Sequence, residues 1–492
     1  MLRMRPTPRK LVKSFFIIAV IGFVVTNLNL LLNSVDESNG TTIMEQKNEI
    51  SMAMGVTWAK VNTSRSGNGS SVNGSYVGAP LPPKGSNRDA QPQGKGPESS
   101  PSDLPHNPSG PNASYIQEFI YNINAAQKVH NLDKFDLKSG AEAVVIVVQV
   151  HNRVEYLRHL IDSLRKSKGI ESSLVIFSHD LYHEGMNALV QSIDFCPVLQ
   201  IYYPYPNQIF SKEFPGEDPN DCPRDIKKYD AKKRKCNNAD HPDKYGHYRE
   251  AKYVQTKHHW FWKASHVFDY VTVMQHHTGP VLFIEEDHYL VPDFIPVLRQ
   301  MVKLGQESCK ECAIMTLGTY DKNPTYVTNA GKGLVQWLFG TDDAVFAGVE
   351  ITDWVSNKHN MGMALNRSVW KKIKSCAMAF CKFDDYNWDW SLQFVSLTCV
   401  KGRLKVMLMK SPRIFHIGEC GVHHKGKNCN PSEKVNKLEG LLERNKQYLY
   451  PDKLTILGYP RSLARLPKPN GGWGDVRDHH LCSRFVDEVT HR

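Results

Sequence analysis

Three polar clusters stand where apolar runs end. Gln149-Val150-His151-Asn152-Arg153 closes the run AVVIVVQV (143–150), Ser178-His179-Asp180 follows Leu174 to Phe177, and Glu285-Glu286-Asp287-His288-Tyr289 follows Val281 to Ile284. Adjacent carboxylates at the end of an apolar strand repel one another and are partly desolvated, so a bound cation would relieve them. Hard oxygen ligands of this kind suit Mg2+ or Mn2+. On these residues alone a solvated acidic turn explains FIEEDHY equally well. A further segment, FDDYNWDW (383–390), interleaves Asp384, Asp385 and Asp389 with Tyr386, Trp388 and Trp390. Aromatic faces stack on the apolar face of a pyranose, and a carboxylate can take a proton from a hydroxyl. The competing reading is an acidic helix start over buried tryptophans. In RIFHIGECG (413–421), His416 follows a short apolar strand and precedes a glycine turn. It could give a nitrogen ligand to a manganese-like ion, although a lone histidine is more often structural. GHYREAKYVQTKHHWFWK (246–263) carries basic and amide groups that could meet a diphosphate or a uracil. Packing of its Trp260 and Trp262 into a core is compatible with that role.

The elements that would position these groups read as α/β. The continuous branched run at 143–150 suits a strand buried on both faces. Val154, Leu157, Leu160, Ile161 and Leu164 recur at helical spacing after it. Further strands are expected at Leu174–Phe177, Val198–Tyr203 and Val281–Ile284, with a polar, cysteine-containing insertion over 207–245 and an aromatic helix over 249–268. Alternation of strands and helices predicts a mostly parallel sheet with right-handed crossovers. Ligands of such sheets bind beyond the carboxyl ends of the strands, which is where the three clusters fall.

The chain has 492 residues, 41% of them hydrophobic, enough for one large domain or two modest ones. Its formal charge of +11 is spread along the chain with no arginine-rich face or nucleic-acid motif, so nucleic acid is not an expected partner. Arg3, Arg5, Arg9, Lys10 and Lys13 precede an uncharged run, Phe15 to Leu32, long enough to cross a bilayer. The positive flank predicts a cytosolic N-terminus. No small-x-small site follows, which favours an uncleaved anchor over a signal peptide. The expected layout is a tail at 1–14, an anchor at 15–32, a disordered stem at 33–115 rich in Gly, Ser, Asn and Pro, and a folded domain at 116–492. Asn39, Asn62, Asn68, Asn73 and Asn112 occupy N-x-S/T sequons of the stem, and Asn366 one within the folded part. All eleven cysteines lie from Cys196 to Cys482, as expected of a disulfide set in an oxidising compartment with one thiol left over. Cys309 and Cys312 have no second pair at zinc-finger spacing, which favours a short-loop disulfide over zinc.

The motifs QVHNR, SHD, GHYREAK, QTKHHW, EEDHYL, HNMG, YNWDW, RIFHIGECG, NKQY and NGGWGD occur in this order. Together they resemble the N-acetylglucosaminyltransferase II family over about residues 116–486, and the anchor-plus-stem layout matches too. The resemblance implies a GT-A fold, a UDP-GlcNAc donor, Mn2+ as cofactor, and inverting transfer of GlcNAc in β1,2 linkage to the α1,6-arm mannose of an N-glycan, converting hybrid to complex glycans. It implies that Gln149, Val150, His151, Asn152, Arg153 and Asp180 contact the uridine. Gln255, Thr256, Lys257, His258 and His259 would line the donor site, with Glu286 beside the nucleotide sugar. Asp287 and His416 would hold the metal and Asp389 would be the general base, ahead of Asp384 and Asp385. Arg224 would help the acceptor or the donor, and Trp388 and Trp390 would hold the acceptor. The implied location is the Golgi membrane, type II, with the catalytic domain lumenal and a homodimer possible. The implied bridges are Cys222–Cys236, Cys309–Cys312, Cys376–Cys399, Cys381–Cys482 and Cys420–Cys429, leaving Cys196 free. Residues 324–350 look longer than the family's equivalent and lack the basic donor contact expected there.

Overall fold

The computed structural model describes residues 112–138, 140–320, 346–418, 430–462 and 464–487. The expected anchor, nearly all of the stem, most of the divergent segment 324–350 and the Cys420–Cys429 pair lie outside the described residues. Among the described residues no helix is long and apolar enough to cross a membrane.

The branched run VIVVQV forms strand β2, Val145–Val150, at the middle of a parallel group. It pairs in parallel with β3, Leu174–His179, on one side and β5, Val281–Glu285, on the other. β4, Val198–Tyr202, lies beyond β3, again in parallel. Alternate β2 residues feed two cores. Val145 and Val147 join Trp260, Phe261 and Phe283 on one face, while Ile146 and Val148 join Leu157, Leu160 and Leu298 on the other. This is why the strand reads as apolar throughout rather than alternating. Helix Val154–Arg165 covers the second face and helix Ala251–Ser265 the first.

The sheet continues beyond β5. Its order is β1-β4-β3-β2-β5-β9-β7-β10-β8-β12, where β1 is Val129–His130, β7 Cys312–Thr316, β8 Gly348–Asp353, β9 Met363–Leu365, β10 Lys405–Met409 and β12 Thr455–Gly458. β4, β3, β2, β5, β7 and β10 run one way; β1, β9, β8 and β12 run the other. The expected mostly parallel sheet is present, with antiparallel strands at both edges and one inserted at β9. Chain order runs β2, β3, β4 to one side and then jumps back to β5 on the other. The carboxyl ends of β2 and β5 therefore flank the point where strand order reverses, the usual crevice for a ligand.

The aromatic helix ends three residues earlier than its apolar pattern suggests, at Ser265, and passes into a wider turn over His266–Tyr270. Trp260 stacks on Trp388 with ring centroids 4.3 Å apart and ring planes nearly parallel. A small sheet of β6, His288–Leu290, and β11, Ile414–His416, stands beside the main one.

Four disulfides join Cys222–Cys236, Cys309–Cys312, Cys376–Cys399 and Cys381–Cys482, and Cys196 is a buried free thiol. The bridged state of Cys309 and Cys312 replaces zinc at that pair. Cys381–Cys482 closes a loop of 101 residues and ties the C-terminal helix Val476–Asp487 to helix Ala377–Lys382. Loss of a bridge of this span costs about 2–5 kcal/mol. Cys381→Ser is accordingly expected to lower the denaturation midpoint sharply under non-reducing conditions. Alkylation of the unfolded, unreduced protein should label Cys196. An unchanged midpoint, or labelling at Cys309, would contradict these pairings.

Candidate active site

β5 ends in Glu285, and a two-residue turn, Glu286-Asp287, leads into β6. β6 pairs antiparallel with β11 so that His416 faces His288. Backbone pairing thus delivers His416 to the acidic turn. His416 Nε2 lies 3.0 Å from Asp287 Oδ2. Arg153, just beyond β2, donates from Nη1 to the same oxygen at 2.7 Å and from Nε to Glu286 Oε1 at 2.7 Å. The His151 amide donates to Glu286 Oε2 at 2.6 Å. Glu285, Asp287 and His288 each offer one ligand atom, all within 4.8 Å of one another. Asp287 Oδ1 and His288 Nε2 are buried and meet no protein partner. Oxygen and imidazole donors in this number suit a divalent cation of the Mn2+ type. The corner also needs the glycine that follows: a Cβ at Gly418 would sit 2.1 Å from Asp287 Oδ2 and 3.0 Å from His416 Nε2.

Charge explains the behaviour of each acid. Burial pushes the Asp287 carboxyl up, but the hydrogen bond from His416 and the Arg153 charge outweigh it and hold it well below the usual range. Burial and the neighbouring Asp287 charge raise Glu285. Burial also raises Glu286, against the pull of Arg153. Lys263, wholly buried on the aromatic helix, is pushed down to about 7 by burial, offset by Glu285. Its Nζ donates to Gln149 Oε1 at 2.7 Å, so it ties the aromatic helix to the end of β2.

Asp180, after β3, holds His151 through a 2.7 Å contact between Oδ1 and Nδ1. His259 Nε2 lies 2.8 Å from Ser178 Oγ, and its Nδ1 lies 3.7 Å from Asp180 Oδ2. The Gln255 side chain accepts from the Asn207 amide and donates to the Asp180 carbonyl. Asn152 and Thr256 are exposed, whereas Val150 is buried and accepts from the Asp180 amide through its carbonyl. Lys257 and His258 lie beneath the crevice. Lys257 Nζ donates to the carbonyls of Phe383 and Asp385, and His258 Nε2 lies 3.0 Å from Asp478 Oδ1. The structure therefore gathers Gln149 to Arg153, Asp180, Glu286, Asp287 and His416 at one sheet end. Gln255 and Lys257 spend their polar atoms on protein partners that shape it, while His258 and His259 do so through Nε2 and keep Nδ1 buried without a hydrogen bond.

Asp389 is held differently from its neighbours. Helix Trp388–Thr398 begins after Asn387, so Asp389 itself lies in the first turn. The acidic helix start of FDDYNWDW therefore falls at Asp389 and not at Asp384 or Asp385. Asp385 is fully buried and accepts from the backbone and side chains of Asn387 and Asn470. Asp384 accepts from the amides of Lys244 and Trp473. Asp389 receives Asn360 Nδ2 at 3.1 Å. Burial, with Asp385 and Glu285 adding repulsion, pushes its carboxyl up to about 7. Trp388, only 7% exposed and stacked on Trp260, is a core residue and not an acceptor platform. Tyr320 feels the charges of Glu285, Asp287 and Asp389 together, which puts it between the two halves of the site. Tyr320 carries no periodic or spacing signal that would single it out from sequence, and His288, Asn360 and Lys263 stand in segments the sequence does single out without any signal of these particular roles.

Next to Tyr386 opens a cavity of about 450 Å³ lined by Arg224, Asp243, His247, Tyr253, Asn470 and Gly472, among others. Its wall depends on the NGGWGD turn: Gly471 has φ +84°, and a Cβ there would meet Asp243 Oδ2 at 2.3 Å.

The family model for N-acetylglucosaminyltransferase II (MGAT2) matches residues 117–482. The chain is 48% identical over 370 residues to the alpha-1,6-mannosyl-glycoprotein 2-beta-N-acetylglucosaminyltransferase of Rattus norvegicus, covering 75% of this chain and 80% of that one. The Homo sapiens protein of the same name is 45% identical over 370 residues, covering 75% and 79%. Among solved structures, S. aureus TarS (residues 1–349) overlaps 55% of this chain and 59% of that chain at 11% identity with a TM-score of 0.29, a likeness too slight to bear on function.

Proposed function

The chain belongs to the N-acetylglucosaminyltransferase II family, and we propose that it is an alpha-1,6-mannosyl-glycoprotein 2-beta-N-acetylglucosaminyltransferase, inverting and Mn2+-dependent, with UDP-GlcNAc as donor. The observation that carries the mechanism is the separation of roles across the crevice. A corner of Asp287, His416 and Arg153 stands at the end of β5, and a single carboxylate without a cationic partner, Asp389, stands on another element. Asp287 and His416 would hold a divalent cation, whose charge would neutralise that developing on the departing diphosphate. Arg153 adds a fixed positive charge at the same place. Asp389 takes the proton of the mannose 2-hydroxyl as that oxygen bonds to the anomeric carbon and UDP leaves. No covalent enzyme intermediate is needed. The tyrosine-lined cavity beside Tyr386 receives the acceptor glycan, with Arg224 on its rim. The test is release of UDP from UDP-GlcNAc with Mn2+ and a defined N-glycan, with the linkage of the product read by NMR. Glycan binding without UDP release would refute it.

The base must be ionised to act. With its carboxyl pushed up to about 7, Asp389 is protonated and inactive below that pH and competent above it. The kcat/KM profile should therefore climb about tenfold per pH unit below 7 and level off above it. A limb at the ordinary carboxylate pH near 4 would mean that another group limits the rate.

We also propose a Golgi location with the folded domain in the lumen. The uncharged run at 15–32 and the four bridges support it. Protease protection of the folded domain in intact vesicles tests it, and digestion without detergent would exclude it.

A further inference from the structure

The insertion closed by Cys222–Cys236 carries charge that the proposed reaction does not use. KKYDAKKRK (227–235) packs Lys227, Lys228, Lys232, Lys233, Arg234 and Lys235 around one acid, Asp230. Residues Lys228–Arg234 are helical, and Ala231 is the buried residue of that helix. All six cations are exposed. Lys232 pairs with Asp240. Among the described residues, the side chains of the other five make no ion pair or hydrogen bond. Cations in the last turn of a helix complement its dipole, but Lys227 and Lys228 sit at the first turn, where positive charge is unfavourable. Lys228 and Lys232 are also like charges four residues apart. Local helix stability does not account for this arrangement, whereas an anionic partner would.

The position of the helix indicates which partner. Ala231 packs with Cys222, Cys236 and Tyr248 in one small cluster. The Tyr248 hydroxyl donates to the Ala239 carbonyl at 2.7 Å, and its amide donates to the Arg224 carbonyl at 2.9 Å. Tyr248 and Arg224 both line the cavity assigned above to the acceptor glycan. Disulfide, cluster and hydrogen bonds thus fix the cationic helix beside the mouth of that cavity. Tyr229, 78% exposed, is its one large exposed apolar side chain, too little for insertion into a membrane.

We propose that this helix is a docking surface for acidic polypeptide, the protein part of a glycoprotein whose glycan occupies the cavity. The inference rests on the acceptor reading of the cavity. Exposed charge of this kind acts chiefly by steering encounter and is screened by salt.

The test uses the full chain and one N-glycan presented three ways: free, on a short peptide rich in Asp and Glu, and on a neutral peptide. The wild type should show a KM for the acidic glycopeptide about 5–30-fold below that for the neutral one at low salt, the difference vanishing in ~0.5 M salt. A variant with Lys227, Lys228, Lys233, Arg234 and Lys235 all changed to Gln should lose that preference and keep wild-type kcat and KM for the free glycan. A second variant with Lys371, Lys372, Lys382, Lys401 and Lys453 changed to Gln removes the same charge elsewhere and should keep the preference. Equal preference in wild type and first variant, or equal loss in both variants, overturns the proposal. So does loss of binding to phosphatidylserine vesicles by the first variant with no change in glycopeptide preference. If the wild type fails to glycosylate even the free glycan, the acceptor reading itself falls, and the proposal with it.

Discussion

Asp389→Asn is expected to lower kcat by a factor of ~10^2–10^4, the usual worth of general-base catalysis, while binding of UDP-GlcNAc stays at the wild-type level. The substitution is nearly isosteric. It keeps an oxygen to accept from Asn360 Nδ2, so the first turn of helix Trp388–Thr398 should not move. It removes only the ability to accept a proton. The alternatives are structurally weak: four donors saturate Asp385, and Asp384 is held by two backbone amides. The rising limb of the pH profile should disappear with the carboxylate. Turnover within a factor of a few of wild type, measured in single-turnover assays at saturating donor, would rule Asp389 out as the base. Trapping of a glycosyl adduct in the wild type would rule out the single-displacement chemistry.

Asp287→Ala is expected to abolish UDP-dependent Mn2+ binding by calorimetry and to lower turnover by ~10^3 or more, because charge on the departing diphosphate is then left without its counter-ion. The fold should survive. Removing one partner of a buried ion pair is severe when the other is left dry. Here the partners, Arg153 and His416, keep side-chain exposures of 29% and 34%. Arg153 also retains Glu286, and Glu285 loses a repulsive neighbour. An unchanged circular dichroism spectrum and melting point should therefore accompany the loss of binding. Mn2+ dependence equal to that of wild type would remove Asp287 from the metal site. A collapse in melting point would show that the carboxylate is there chiefly to satisfy Arg153.

Local pattern carried much of this architecture. The branched run of β2, the helical spacing from Val154 to Leu164 and the apolar run of β5 each state their own conformation, because burial on both faces or along one stripe is written directly in residue type. Once a parallel sheet follows from their alternation, the ends of β2, β3 and β5 are obliged to converge, so His151 to Arg153, Asp180 and Asp287 were legible as one site. Acidic residues near Trp388 were legible as candidates but not as roles. Which carboxylates are tied down by amide donors is decided more than eighty residues away, in the Asn470–Trp473 turn, and nothing in FDDYNWDW records it.

By itself, then, the sequence determined the strand-and-helix alternation, the sheet end at which chemistry can occur, and the set of residues able to perform it. Tertiary structure alone decided that β6 pairs with β11 and brings His416 to Asp287 across 129 positions of chain, as the residue numbers of the pair show. It alone decided that Trp388 stacks on Trp260 instead of facing a sugar, that the buried Lys263 and Lys257 tie the aromatic helix to Gln149 and to the Asp385 carbonyl, and that a cationic helix is fixed beside the cavity. The physical reason is range. Backbone preference and periodicity act over a few residues, whereas desolvation, ion pairing and ring stacking depend on which distant segments packing brings together.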